Sequence, residues 1–119
     1  MQNTSRVVCI GLEAYWDSNC TESVDVIDWG IMQNGENKTI TVWLKNVGNE
    51  AGNLTANTTD WSPQGIEEYV DVSYTFGSLY LEPAEVTYLN ITVSIDVNIP
   101  LNYTSFSFST VIYLSVDVP

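Results

Sequence analysis

A chain of 119 residues that is 45% apolar and 12% aromatic is long enough for one domain with a single core, and too apolar for a disordered segment. Fifteen acidic residues against three basic ones (Arg6, Lys38 and Lys45) give a net charge of −12. That charge repels phosphate backbones and anionic headgroups, so nucleic acid and electrostatic membrane binding are not expected partners. Val, Ile, Tyr and Trp with Thr and Ser between them is strand composition.

In chain order, the first predicted strand is Arg6–Trp16, with Val7, Val8 and Ile10 making it partly buried. The second, Val24–Trp29, ends at Gly30, and a turn is predicted at Gln33-Asn34-Gly35-Glu36, Asn-Gly being a strong turn pair. Lys38–Asn46 alternates Ile40, Val42 and Leu44 inward against Thr39, Thr41, Trp43 and Lys45 outward. Gly52–Thr58 is short and polar and reads as an edge strand.

After a loop around Trp61-Ser62-Pro63-Gln64-Gly65, the strand Tyr69–Phe76 points Val70, Val72, Tyr74 and Phe76 inward. Glu82-Pro83-Ala84-Glu85 turns the chain into Val86–Val97. The last run, Ser105–Val116, sets Phe106, Phe108, Thr110, Ile112, Leu114 and Val116 against Ser107, Ser109, Val111, Tyr113 and Ser115. About seven short alternating strands and no helical period imply an all-β, immunoglobulin-like antiparallel β-sandwich. Residues 1–119 form one such domain, with 1–5 and 117–119 expected as flanking linker. No apolar run is long enough to span a membrane as a helix, and Met1–Ser5 has neither the basic nor the apolar region of a signal peptide. Both ends read as cuts in a longer secreted or anchored protein.

The strongest functional signal is a density of glycosylation acceptors. Asn-x-Ser/Thr occurs seven times, at Asn3, Asn19, Asn37, Asn53, Asn57, Asn90 and Asn102. With 11 Asn, and 23 Ser or Thr among 119 residues, chance gives roughly two. Each occupied site must project its sugar into solvent. Asn90 meets that condition on sequence alone, because Leu89, Ile91, Val93 and Ile95 alternate with Asn90, Thr92 and Ser94.

Cys9 and Cys20 are read as a disulfide staple. Eleven extended residues span roughly 36 Å, so the chain must turn back at Gly11 or at Asp17-Ser18-Asn19 for the pair to come within about 7 Å. A closed loop of this size adds roughly 3 kcal/mol. A metal or redox pair is disfavoured, since the chain has no Cys-x-x-Cys and no His.

Ile27-Asp28-Trp29-Gly30, then Gly35, then Ile40–Leu44 running into Asn46-Val47-Gly48-Asn49, is similar to Hydin-type and CARDB-like immunoglobulin-fold modules. Leu81-Glu82-Pro83-Ala84-Glu85 resembles the Leu-x-Pro-Gly-Glu turn of the same group. Ala84 in place of Gly predicts a type I turn, because a positive φ is costly without Gly. Tyr15–Thr21, Asp28-Trp29-Gly30, Trp61-x-Pro63 and Phe106-Ser107-Phe108 resemble archaeal cell-surface modules. The resemblance covers nearly the whole chain and implies an extracellular, cell-surface β-sandwich from an archaeal source, with no catalytic motif.

Catalysis has little material: no His, one Arg, and no Gly-x-Ser-x-Gly elbow. No cofactor or metal is expected. The hard oxygens of Asp17 and Asn19, with Glu22 or Asp25 nearby, make calcium a candidate near Asp17, against the plainer reading of a side-chain-capped polar turn. Trp43 and Tyr113 are predicted to face solvent and to form a binding surface for protein or sugar. Trp16, Trp29 and Trp61 border turns and read as lids on the core. The function implied is a non-catalytic, N-glycosylated surface module for spacing, adhesion or self-assembly with other modules or with copies of itself. Arg6–Trp16 is the candidate donor strand. The alternative is a carbohydrate-binding module using the exposed aromatics.

Overall fold

Two antiparallel hydrophobic patterns facing one another need two sheets, and the computed structural model, which describes residues 3–62, 64–98 and 108–118, has two. Its strands are β1 (Asn3–Ile10), β2 (Leu12–Tyr15), β3 (Val26–Gly30), β4 (Asn37–Asn46), β5 (Gly52–Ser62), β6 (Val70–Phe76), β7 (Tyr80–Leu81), β8 (Val86–Ile95) and β9 (Ser109–Asp117). A short 3-10 helix, Ile66–Glu68, precedes β6. One sheet has the order β3-β1-β9-β5-β7 and the other β2-β4-β8-β6. The chain is thus a β-sandwich, with nine strands among the described residues where about seven are expected.

The core lies between the sheets. Val42 and Leu44 of β4, Leu89, Ile91 and Val93 of β8, and Ile112 and Leu114 of β9 are buried, and their alternate neighbours face out. The period-2 patterns of these strands place the side chains as the sequence predicts. The turn at Gln33–Glu36 also forms, closed by Glu36 N–H to Gln33 O at 3.0 Å with Gly35 at φ +78°.

Four expectations are corrected. Arg6–Trp16 is two strands in different sheets: β1 lies between β3 and β9, and Gly11, at φ +77°, hands the chain across to β2 on the edge of the opposite sheet. A positive φ there is open to Gly and strained for other residues. Gly52–Thr58 is part of the longer β5, Gly52–Ser62, whose outer edge the two-residue β7 pairs only at Gly52 and Asn53, so among the described residues the rest of it keeps the edge position expected. Residues 3–5 are no linker, since Asn3 and Ser5 are buried within β1, and Asp117 belongs to β9. Ala84 takes φ +66° in a turn closed by Glu85 N–H to Glu82 O at 3.0 Å, the left-handed position of a type II turn.

The turn keeps that strained residue because its surroundings over-determine it. Ala84 N–H donates to Asn46 O at 2.8 Å, and Asn46 N–H donates to Glu85 O at 3.2 Å. The Asn46 side chain, 1% exposed, donates through Nδ2 to Leu81 O and to Glu50 O, each at 3.0 Å, and accepts from Gly48 N–H at 2.9 Å. One buried amide therefore ties the end of β4 to the loop after it and to β7.

Candidate functional site

Two surfaces could carry a non-covalent function: the outward faces of the sheets and the slot that β1 occupies. On the outward face of the four-stranded sheet, Tyr15 of β2 is paired with Trp43 of β4, and Trp43 with Tyr88 of β8. The Trp43 and Tyr88 rings meet edge to face, centroids 6.2 Å apart at 77°. Tyr15 donates to the Glu13 carboxylate two residues away, which with some desolvation raises its pKa to about 12. Below this aromatic row runs a hydroxyl and amide ladder: Thr41 Oγ1 donates to Asn90 Oδ1 at 2.6 Å, and Thr39 and Thr92 share a hydrogen bond of 2.8 Å.

Tyr113 is not part of that surface. It lies on β9, outward from the five-stranded sheet, so the two sheets and their core separate it from Trp43. The pair cannot form one binding site. Beside Tyr113 stand Asn57 of β5 and Val8 of β1. Trp16 also departs from expectation: it is 39% exposed and lids no core, whereas Trp29 is buried and Trp61 packs on Phe108 with centroids 5.9 Å apart.

The sequons divide by burial. Asn19, Asn37, Asn53 and Asn57 are exposed, and Asn90 is half-buried on the outer face. Asn3 is only 6% exposed, its Nδ2 donates to Gly30 O at 3.0 Å, and its Oδ1 accepts from Phe108 N–H at 2.8 Å. The nitrogen that would carry a sugar is thus committed inside the fold, which removes Asn3 from the set open to solvent. Asn102 lies outside the described residues.

The β1 slot is built from polar keys as well as backbone. β1 pairs antiparallel with β3 and parallel with β9, from Thr4↔Ser109 to Ile10↔Ser115. Inside the slot, buried Trp29 Nε1–H donates to buried Ser5 Oγ at 2.9 Å, and Asn3 bridges Gly30 and Phe108. Without β1, an indole N–H and the facing edges of two strands would lose their partners.

Cys9 and Cys20 are free thiols, so the expected staple is absent. The chain does turn back at Asp17–Cys20, but the returning segment brings Ser23 to Tyr15 in an isolated bridge and leaves Cys20 in the turn. Cys9 instead sits among Val7, Ala14 and Val24, and burial pushes its thiol up to about 11. In the same turn, Asp17 Oδ1 accepts from Thr21 N–H at 2.9 Å and Glu22 N–H at 3.1 Å, and Oδ2 accepts from Thr21 Oγ1. These bonds, the hydroxyl's first, lower its pKa. Its carboxylate caps the loop, as in the polar-turn reading, and among the described residues no group of three His, Cys, Asp or Glu side chains is placed to hold a metal ion.

Sequence reasoning missed Asn46, Asn3 and Ser5 as organising residues and Tyr15 and Tyr88 as neighbours of Trp43. Asn46-x-Gly48, a side chain set to accept from the backbone two residues on, is the one local signal that marks any of them. No protein-family model matches the chain, and no curated protein matches it either.

Proposed function

We propose that this chain is a non-catalytic, N-glycosylated extracellular surface module that serves spacing, adhesion or self-assembly, with β1 as the strand that neighbouring copies exchange. The observation that carries this reading is the place of β1. Because β1 runs parallel to β9, the chain enters the sandwich at one end and leaves β9 at the other. The body between those points is elongated, 48 × 27 × 19 Å, so modules joined in series would stack lengthwise. The same strand is joined to the next only through Gly11 and sits between two strands that each offer it a backbone edge. A second copy's β1 would satisfy the slot as well as the chain's own, down to the Ser5–Trp29 and Asn3–Phe108 bonds. The partner this slot fits is therefore another copy of this chain.

The test removes residues 1–10 and leaves β2 in place. The truncated chain should take up a synthetic peptide of residues 1–10 and regain the full chain's melting behaviour. A Ser5→Leu peptide should fail, because Leu cannot accept from Trp29 Nε1. The full chain should form concentration-dependent oligomers that carry labelled β1 from one copy to another. No peptide uptake together with a monomer at all concentrations overturns strand exchange. The carbohydrate-binding alternative keeps Trp43, joined by Tyr15 and Tyr88, and loses Tyr113; glycan-array binding abolished by Trp43→Ala would favour it.

A further inference from the structure

Outward aromatics of both sheets each stand beside a different sequon asparagine. Asn53 is directly opposite Tyr80, which is 49% exposed, and Asn57 is directly opposite Tyr113. Asn90 follows Tyr88, which is 39% exposed, by two residues on the same face of β8, and Trp43 stands beside Tyr88. Directly opposite side chains have Cβ atoms about 5 Å apart, and i, i+2 neighbours are about 7 Å apart along the strand. Three acceptor asparagines on two opposite surfaces are thus each within one sugar ring's reach of an outward aromatic ring. Asn37, opposite Ser94, has no such neighbour in its register.

Asn90 is oriented for the same arrangement. Its Oδ1 is held by Thr41 Oγ1 at 2.6 Å, and among the described residues nothing accepts from its Nδ2. Thr92, the hydroxyl residue of the sequon, stands on the same face.

We propose that Tyr80, Tyr113 and the Tyr88–Trp43 pair are beds for the first sugar ring of glycans carried by Asn53, Asn57 and Asn90, respectively. This rests on the N-glycosylation reading above and names what covers the aromatics: the chain's own sugars. A pyranose ring has an apolar face of C–H groups and a polar rim, which suits a tyrosine or tryptophan face at a wet surface. Attachment forms a bond between Asn Nδ2 and C1 of the sugar and breaks the bond from C1 to the diphosphate of a lipid-linked oligosaccharide donor. The lipid diphosphate and one amide proton leave. With the ring seated on the aromatic, each glycan covers apolar surface and is pinned against the sheet, so the two faces become sugar-coated while the strand edges stay open for pairing.

The test produces the chain in a eukaryotic secretory host, which adds N-acetylglucosamine first, and in a bacterial host that adds nothing. Site occupancy is read by mass spectrometry. Tyr88→Ser and Tyr113→Ser are melted in both forms, with Ser94→Ala, opposite Asn37 and outside every sequon, as the control. Each tyrosine variant should lose about 3 °C more in the glycosylated form than in the bare form, and the control should lose the same in both. Equal losses in both forms, with Asn57 and Asn90 occupied, overturn the beds and leave the glycoprotein reading standing. No occupied sequon overturns both. Binding of an external saccharide to the tyrosines in the occupied protein also overturns the beds, because the rings would then be uncovered.

Discussion

Asn46→Ala should destabilise this domain more than any surface substitution, although Asn46 is neither apolar nor part of a recognition surface. The side chain is 1% exposed and makes three hydrogen bonds to backbone groups. Truncation takes one of the bonds from the Leu81 carbonyl, which Gly52 also faces in the β5–β7 ladder, and leaves a small void in a buried setting, at a cost of about 1–3 kcal/mol. The Glu50 carbonyl and the Gly48 N–H are only part-buried, so water can partly replace the amide, at about 0.5–1 kcal/mol each. The total is about 2–5 kcal/mol, a large share of the roughly 5–15 kcal/mol that holds a domain together. For a chain of this length it lowers Tm by about 8–20 °C, read by far-UV circular dichroism.

Asn46→Asp separates hydrogen bonding from shape. The two side chains are nearly isosteric, but an ionised carboxylate only accepts, and it would face two carbonyl oxygens where the amide donates at 3.0 Å. At pH 7 this variant should be less stable than the Ala variant. Burial and the carbonyls raise the folded-state pKa of the new acid, so the folded form binds its proton more readily and stability should recover as pH falls. An Asp variant within about 1 kcal/mol of the parent at pH 7 would refute the reasoning, because the amide donors would then contribute nothing that shape does not.

Ala84→Gly should stabilise the chain: relief of the left-handed φ of +66° is worth about 1–2 kcal/mol, and the added freedom of Gly in the unfolded chain takes back about 0.5–1. A rise of a few degrees in Tm is expected, and a fall would mean that the turn relaxes to type I in solution. Cys9, with its thiol raised from 9.0 to about 11, should resist alkylation at pH 8 until the protein unfolds, and mapping the alkylated peptides checks this. The same shift means that between pH 9 and 11 the unfolded chain loses this proton first, so stability should decline across that window; a Cys9→Ala variant should lose that part of the slope.

What the sequence determined by itself is the alternation of β4, β8 and β9 and hence the sandwich, because a period of two forces Leu89, Ile91 and Val93 to one side whatever surrounds them. It also marked the Asn34-Gly35 turn and the outward face of Asn90, since these depend on neighbours two to four residues away. The division of Arg6–Trp16 was hidden because Val7, Val8 and Ile10 blur the alternation, and a switch of sheets at Gly11 is visible only against β9, more than a hundred residues on.

The composition of β5 told of its outward face and of the edge it keeps over most of its length, but not of its extent. Asn53, Thr55 and Asn57 point to solvent, Leu54 is buried, and β7 pairs the strand only at Gly52 and Asn53. Only tertiary structure decided which polar residues are internal. Asn3 meets partners 27 and 105 residues away, and Asn46 meets one 35 residues away. It also set Trp43 and Tyr113 on opposite faces, Cys20 away from Cys9, and a tyrosine opposite each of Asn53 and Asn57. Register and strand order place these residues, and both arise from pairings between distant segments that no local pattern encodes.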